Sequence, residues 1–521
     1  MEFLPFFINH NLFIEPDTPE NFEDLYTGIN TNSGNGLIAT SLAKILGVRT
    51  YTGGIRNIFL CHKDDVNFEH INEKYSHAIL IFEDHIGEQW NHLPWTRMQG
   101  VLEALDLPLI VFSLGCCGVN KTPDRVVSEI SMEARNFFAF LSRKAVSIGV
   151  RGTFTGQVME LLGIRNYQVV GCPTYFEAGR DRVVERPRPT AESAVVGVGL
   201  FTSNTIENVH HVLQSEVELL RALIDVAPIT QQDSNSFMAV PWPNYASKFL
   251  NALACDRVRF FTDPAEWRDY FDESVALTVG TRVHGSIVSL NKGRPALVTA
   301  GDVRAEEMCR LFQIPHLPGA YLADASPAEL ADMADPTALN AAYPELYDSF
   351  ISWLVNVCGL PVPEKPLEFI DWRVYRAALL PGPVAAERLR GASAASEVQR
   401  LSLDLSTATS EIQRFSADQS TATNEIQRLS LDLSTATSEI QRLSLDLSTA
   451  TNEIQRLSLD LTMANDRQMD LSATLDSLSA QHEGLSAHTS EVERRLALLH
   501  QSWSWRLTKP LRWAKTIIRR Q

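Results

Sequence analysis

The stretch "TVGTRVHGSIVSLNKGRPALVTAGDVR" (278–304) places Arg282 and His284 two residues apart, between an apolar run and a segment with helical spacing. The free backbone N–H groups and dipole of a helix start favour anions. An arginine adds two-pronged recognition of a carboxylate or phosphate, and a histidine can hydrogen-bond a phosphate or pass a proton. Gly285 permits close backbone approach at the same corner. Asp302 and Arg304 repeat the arrangement one strand later, although an aspartate there also reads as a helix cap. Taken singly, each residue reads as a surface ion pair or a cap; taken together they describe a site for a small anion.

Three corners in the first half of the chain have the same character. "NTNSGNGLI" (30–38) sets Asn32, Gly34 and Asn35 before a helix, but no GK[ST] follows, so it is not a P-loop. "SLGCCGVNKT" (113–122) carries Gly115, Gly118, Asn120 and Lys121 after an apolar run, without the GxGxxG spacing of a dinucleotide site. "GVRGTFT" (149–155) puts a third arginine, Arg151, at the end of a short apolar strand.

The elements that would position these corners alternate along the chain. "SHAILIF" (76–82), "LPLIVFSLG" (107–115) and "YQVVGCP" (167–173) read as strands, with helices at 36–46 and 132–146. A charged, proline-bearing stretch at 180–193 reads as an interdomain linker, after which the pattern restarts. Strands are expected at 194–201, 257–262, 275–280 and 295–300, and helices at 216–226, 265–271 and 285–292. Segments 343–357 and 367–380 read as closing helices. The expected head is therefore two Rossmann-like α/β domains, 1–185 and 194–380, with ligands at the carboxyl ends of the strands.

After "PGP" (381–383) a fourteen-residue unit beginning "EVQRLSLDLSTATS" recurs from Glu397 to Glu453, with apolar residues at heptad spacing. Residues 384–500 are thus expected to form a coiled coil of roughly 150 Å at about 1.5 Å per residue, making a homo-oligomer. The tail 501–521 carries Arg506, Lys509, Arg512, Lys515, Arg519 and Arg520 among tryptophans and no acid, which suits an anionic membrane surface. The net charge of −17 excludes nucleic-acid binding through a general positive field. Seven cysteines without a CxxC pair point to a reducing compartment and no zinc knuckle, and no metal-ligand cluster is expected. The apolar N-terminus lacks a basic start and is not read as a signal peptide, and no run is long enough to span a bilayer.

"SIGVRGTFTGQVMELLGIRNYQVVGCPTYF" (147–176), "TRVHGSIVSLNKGRPALVTAGDVR" and "NTNSGNGLI", in this order, resemble the polysaccharide pyruvyl transferase family over about residues 25–320. The resemblance implies a glycosyltransferase-B-like pair of Rossmann-type domains. It also implies transfer of the pyruvyl group of phosphoenolpyruvate onto a sugar as a ketal, with no cofactor beyond that donor. Carried over, Arg151, Arg282 and His284 would hold the donor, helped by Arg304, Asn32, Gly34, Asn35 and Asn120. His284 would be the general acid, with Asp302 or Asp84 as alternatives. Gly152 stands where the family often has Asp, Cys172 replaces the Asp of Asp-Pro, and "FEDHIGE" (82–88) replaces a glycine-rich strand end. The implied acceptor is a polysaccharide or lipid-linked sugar, met in the cytoplasm at the inner face of the cytoplasmic membrane. Two other readings remain: a nucleotide-sugar glycosyltransferase of the same architecture, and a non-catalytic coiled-coil scaffold.

Overall fold

The structure is a computed structural model that describes residues 3–392, except 119–120, 191, 200, 225–228, 231, 234–236, 238–243 and 319–321. It also describes 406–411, 414, 443, 445–449 and 451–458. The last of these residues are helical; the rest of the expected coiled coil, the tail 501–521 and Asn120 lie outside the described residues.

Near-continuous apolar runs make strands that are buried on both faces. Two six-stranded sheets result. The first contains β1 (Pro5–Ile8), β2 (Gly54–Ile55), β3 (His77–Ile81), β4 (Leu109–Leu114), β5 (Ala145–Val150) and β6 (Tyr167–Val169), in the order β2-β1-β3-β4-β5-β6. The second contains β7 (Ala194–Val198), β8 (Val209–Leu213), β9 (Val258–Phe260), β10 (Val275–Gly280), β11 (Ala296–Ala300) and β12 (His316–Pro318), in the order β9-β8-β7-β10-β11-β12. Every strand pair in both sheets is parallel. These are doubly wound sheets, whose order reverses between β1 and β3 and between β7 and β10; such reversals open a crevice at the carboxyl ends.

The two domains share a core. Phe7, Ile79, Ile110 and Phe112 of the first sheet belong to one buried cluster with Ile287, Leu290, Val298 and Phe312 of the second domain and with the helix Thr337–Ser352. That helix returns to the first domain, where Trp353 lies edge-on to Phe112 and its Nε1 donates to Ser147 Oγ at 3.0 Å. Residues 184–190 run between the domains without regular structure, and Val184 exchanges two hydrogen bonds with the Asn340 side chain.

One expectation is overturned: 367–380 is not a helix but an extended strap. It bridges Thr50 through Asp371, Ile14 through Val374 and Ile224 through Leu379, so it touches both domains. Its alternating burial, with Trp372 and Val374 inside and Asp371 and Arg373 outside, has the period of a strand. The head also continues past Pro381: residues 382–392 are helical, and Ala385, Ala386 and Leu389 are buried beside Leu213 and Phe249.

A buried ion pair joins the domains. Arg268 of the second domain gives Nε (2.8 Å) and Nη2 (2.6 Å) to the Glu177 carboxylate, which also accepts from Ser41 Oγ at 2.6 Å. Burial would raise the Glu177 carboxyl, but Arg268, aided by Lys44 and Ser41, pulls it down to about 2. Arg268→Ala would leave a buried carboxylate unpaired and is expected to cost ~3–5 kcal/mol in denaturant unfolding. Because the folded-state value is depressed, the pair's contribution is present above the unfolded carboxylate value, near 4.5, and fades as pH falls toward 2. Arg268→Ala should therefore show a flatter acid limb than the wild type.

Candidate functional site

The corners that end β3, β4, β5 and β10 converge on Arg151. Its side chain is 1% exposed. A slip in register between Val111 and Leu114 bulges β4, and Ser113 there takes a left-handed conformation, φ 63°. This turns Ser113 Oγ toward Arg151, whose Nε donates to it at 3.0 Å. A Cβ on Gly115 would stand 2.8 Å from Arg151 Cδ, so glycine lets the stem of the arginine pass. Arg151 Nη2 has no hydrogen-bond partner among the described residues. A buried guanidinium with an open donor is costly, and an anionic ligand would satisfy it.

Around Arg151 stand groups whose protonation it influences: Glu83, Asp84, His85, His284 and Glu307. Asp84 is buried, which would raise it, but Arg304, Arg151 and His85 hold it well below the usual carboxylate range. Arg304 donates from Nη1 to Asp84 Oδ2 at 3.1 Å, and its Nη2 lies 3.6 Å from Asp302 Oδ2. Asp302 is also the N-cap of the helix Val303–Phe312, accepting from Ala305 N at 2.8 Å.

His284 lies in the first turn of the helix Val283–Asn291, with Nε2 3.6 Å from Cys172 Sγ. Burial first, then the charges of Arg151 and Arg304, lowers it well below its ordinary value. It is therefore a neutral imidazole at neutral pH. Arg282, the N-cap of this helix, is paired: Nη2 (2.6 Å) and Nε (3.0 Å) both donate to Glu216 Oε1. Glu216 also accepts from the backbone N–H groups of Gln214 and Ser215.

The first loop reaches this place from the other domain. Asn32 caps a 3-10 turn by accepting from Gly34 N at 3.0 Å, and Ser33 N donates to the Gln214 carbonyl at 3.0 Å. A Cβ on Gly34 would stand 2.7 Å from Gln214 Oε1 and 3.1 Å from His284 Cβ. Asn35 is buried and leads into the helix Gly36–Ile45. Lys121 turns aside to Glu88 and Glu129.

Several residues in the site were not singled out by sequence reasoning. Asn11 Nδ2 (2.5 Å) and Asn30 Nδ2 (3.3 Å) donate to the two oxygens of Glu83, and Asn9 Nδ2 donates to the Ile81 carbonyl at 2.9 Å. All three asparagines have left-handed backbones, which asparagine tolerates better than most side chains. Asparagines directly after the apolar run "PFFI" are the signal that could have found two of them. Glu307 crosses from the second domain to cap the helix Thr153–Leu161, accepting from Thr155 N (2.9 Å) and Thr155 Oγ1 (2.7 Å). Burial pushes Glu307 up to about 7, with Thr155 and Arg151 opposing. Gly152, the N-cap itself, has no side chain to do this, and a Cβ there would lie 2.7 Å from Glu307. Among the described residues, no three His, Cys, Asp or Glu side chains are placed to hold a metal ion.

Two doubly wound domains closed around an arginine-centred corner define the class: a two-domain α/β protein with its site between Rossmann-like sheets. The chain belongs to the polysaccharide pyruvyl transferase family, whose model matches residues 32–302, just over half of its length. Among solved structures it is similar to Anabaena HepE (Alr3699) in complex with UDP and glucose, at 11% identity and TM-score 0.26, over 56% of this chain and 77% of that one. It is also similar to MnaA of S. aureus with UDP, at 8% identity and TM-score 0.30, over 64% of this chain and 88% of that one. No curated protein matches the sequence.

Gly152→Ala is expected to push Glu307 off the helix start and cost ~1–3 kcal/mol in thermal or denaturant unfolding. Combining it with Glu307→Ala should cost less than the sum of the two single changes, because both break one contact.

Proposed function

We propose that the protein transfers the pyruvyl group of phosphoenolpyruvate onto two hydroxyls of a sugar in a bacterial surface polysaccharide, as a ketal. One observation carries this reading: Arg151 is buried, holds a single hydroxyl partner through Nε and keeps Nη2 open. Phosphoenolpyruvate is a compact polyanion with a carboxylate and a phosphate, which a guanidinium recognises in two-pronged fashion. Arg304 stands beside Arg151 through Asp84, and the start of the helix Val283–Asn291 adds backbone donors for the second anionic group.

The reaction begins with proton transfer to the methylene carbon, whose π electrons form the new C–H bond. The neighbouring carbon becomes oxocarbenium-like and is attacked by one sugar hydroxyl. A second hydroxyl then displaces phosphate, the C–O bond breaking with its electron pair on the leaving group. One hydroxyl proton restores the acid and the other leaves on phosphate. Neutral His284 is suited to take a hydroxyl proton during attack. Asn32, Gly34 and Asn35 close the site from the first domain, and Asp302 orders the helix that carries Arg304.

A nucleotide-sugar donor finds less support. In a doubly wound sheet an acid after the second strand binds ribose, and after β8 that position is Glu216. Its Oε1 is taken by Arg282. Among the described residues, the turn after β7 leads through a loop to β8, with no helix start for a diphosphate.

In this reading the repeat segment makes an oligomer, and the basic aromatic tail holds the heads near a membrane-bound acceptor at the inner face of the cytoplasmic membrane, raising its effective concentration. No helix among the described residues is long and apolar enough to cross a membrane.

Calorimetry on the full chain tests the donor. Phosphoenolpyruvate should bind saturably, and Arg151→Ala should weaken it by ~100-fold or more, about 2.7 kcal/mol. Arg151→Lys should restore little, since a lysine cannot reproduce the planar fork. Tighter binding of a UDP-sugar than of phosphoenolpyruvate would overturn the proposal.

A further inference from the structure

The first step needs an acid that carries a proton near neutral pH; of the named candidates Asp302 is committed to capping the helix Val303–Phe312, and the other two are not in the protonation state required. His284 is held neutral and Asp84 is held ionised against Arg304. Glu83, at the carboxyl end of β3 and beside the strand-order reversal of the first sheet, has surroundings of another kind.

Its hydrogen bonds show this. The backbone N–H of Glu83 donates to His85 Nδ1 at 3.2 Å, so Nδ1 is an acceptor. The same Nδ1 lies 3.3 Å from Glu83 Oε2. Two acceptors at that distance repel unless one carries a proton. His85 is packed among Phe59, Phe82 and Trp90, and burial brings it down to about 4, against the pull of Asp84. With His85 neutral, repulsion is relieved if the carboxyl carries the proton, Nδ1 then sharing its one lone pair between the Glu83 N–H and the carboxylic O–H. Asn11 and Asn30 donate to the two oxygens and favour the ionised form, but less than burial favours the neutral one. Burial raises Glu83 to about 8, with Arg151 opposing and Asp84 reinforcing.

Charge leads to the same place. The formal charges of Arg151, Arg304, Asp84 and Asp302 cancel if Glu83 is neutral, and leave one negative charge if it is ionised. A site that takes an anion within a chain of net charge −17 avoids net repulsion only in the first case.

We propose that Glu83 is a carboxylic acid in the resting protein and is the general acid that protonates the methylene carbon of the donor; this rests on the pyruvyl-transfer reading. Glu83 loses its proton as the C–H bond forms and becomes a carboxylate facing Arg151. The proton of the second sugar hydroxyl returns to it as phosphate departs, while the proton of the first leaves on phosphate through His284. Asn11, Asn30 and His85 hold the carboxyl from three sides, with Arg151, Asp84 and Arg304 as the charged groups around it and Asp302 behind Arg304.

Infrared difference spectroscopy on the full chain decides the protonation without reference to any substrate. The wild type should show a protonated-carboxyl C=O stretch at neutral pH that Glu83→Gln lacks and that disappears as pH rises through about 8. Glu83→Gln, neutral and of the same shape, should bind phosphoenolpyruvate within a few-fold of wild type, which also reports an intact fold, yet lose kcat by ~10²–10⁴-fold. The kcat/KM of the wild type should fall on the alkaline side with the same midpoint as the infrared band. No band difference, or normal turnover by Glu83→Gln, overturns the proposal. Failure of the wild type to bind phosphoenolpyruvate would remove the donor and with it the delivery step, whereas the infrared result would still fix the state of Glu83.

Discussion

A guanidinium taken out of water governs the head. Among the described residues, Arg151 Nε bonds one hydroxyl and Nη2 bonds no carboxylate. Desolvating a cation costs several kcal/mol unless other groups compensate, and the surrounding elements supply that compensation at a distance. Ser113 adopts an unfavourable backbone to face it, Gly115 makes room for its stem, and the carboxyls of Glu83, Asp84 and Glu307 titrate under the influence of its charge. The strained β4 bulge is the local cost of this arrangement.

The acidic character of the chain makes the partition of carboxyls important. Glu177 and Asp84 are ionised because an arginine bonds each of them directly. Glu83 and Glu307 are equally buried but have amides, a hydroxyl and a backbone N–H instead of a direct cation, and both are shifted upward. Carboxyls at adjacent positions, Glu83 and Asp84, are thus shifted in opposite directions, decided by whether the nearest donor is charged.

Much of the fold was legible because long apolar runs such as "LIVFSL" and "VALTVG" can only be buried strands in this setting. β8 was not, since His210 and His211 interrupt its apolar pattern, and "PFFI" reads as a strand only beside β3. The strap at 367–380 misled because Leu367, Ile370, Val374 and Ala377 fall at helical intervals, whereas pairing with Ile14 and Thr50, more than 300 residues earlier, fixes it as extended. In the site, Arg151, His284 and Arg304 stood out as charges at strand ends. Glu307 could not, because its role depends on meeting Thr155 across 152 residues of sequence. Gly152 was visible only as a departure; its meaning came from the side chain that fills its place.

The chain passes from the first domain to the second through 184–190, returns with the helix Thr337–Ser352, and leaves again along the strap. A chain that crosses three times ties its two halves covalently at three places. Separating them as rigid bodies would require bending all three segments at once, and a crossing made by a helix resists bending more than a loop does, so Arg151 and His284, which sit on opposite halves, are kept in one register.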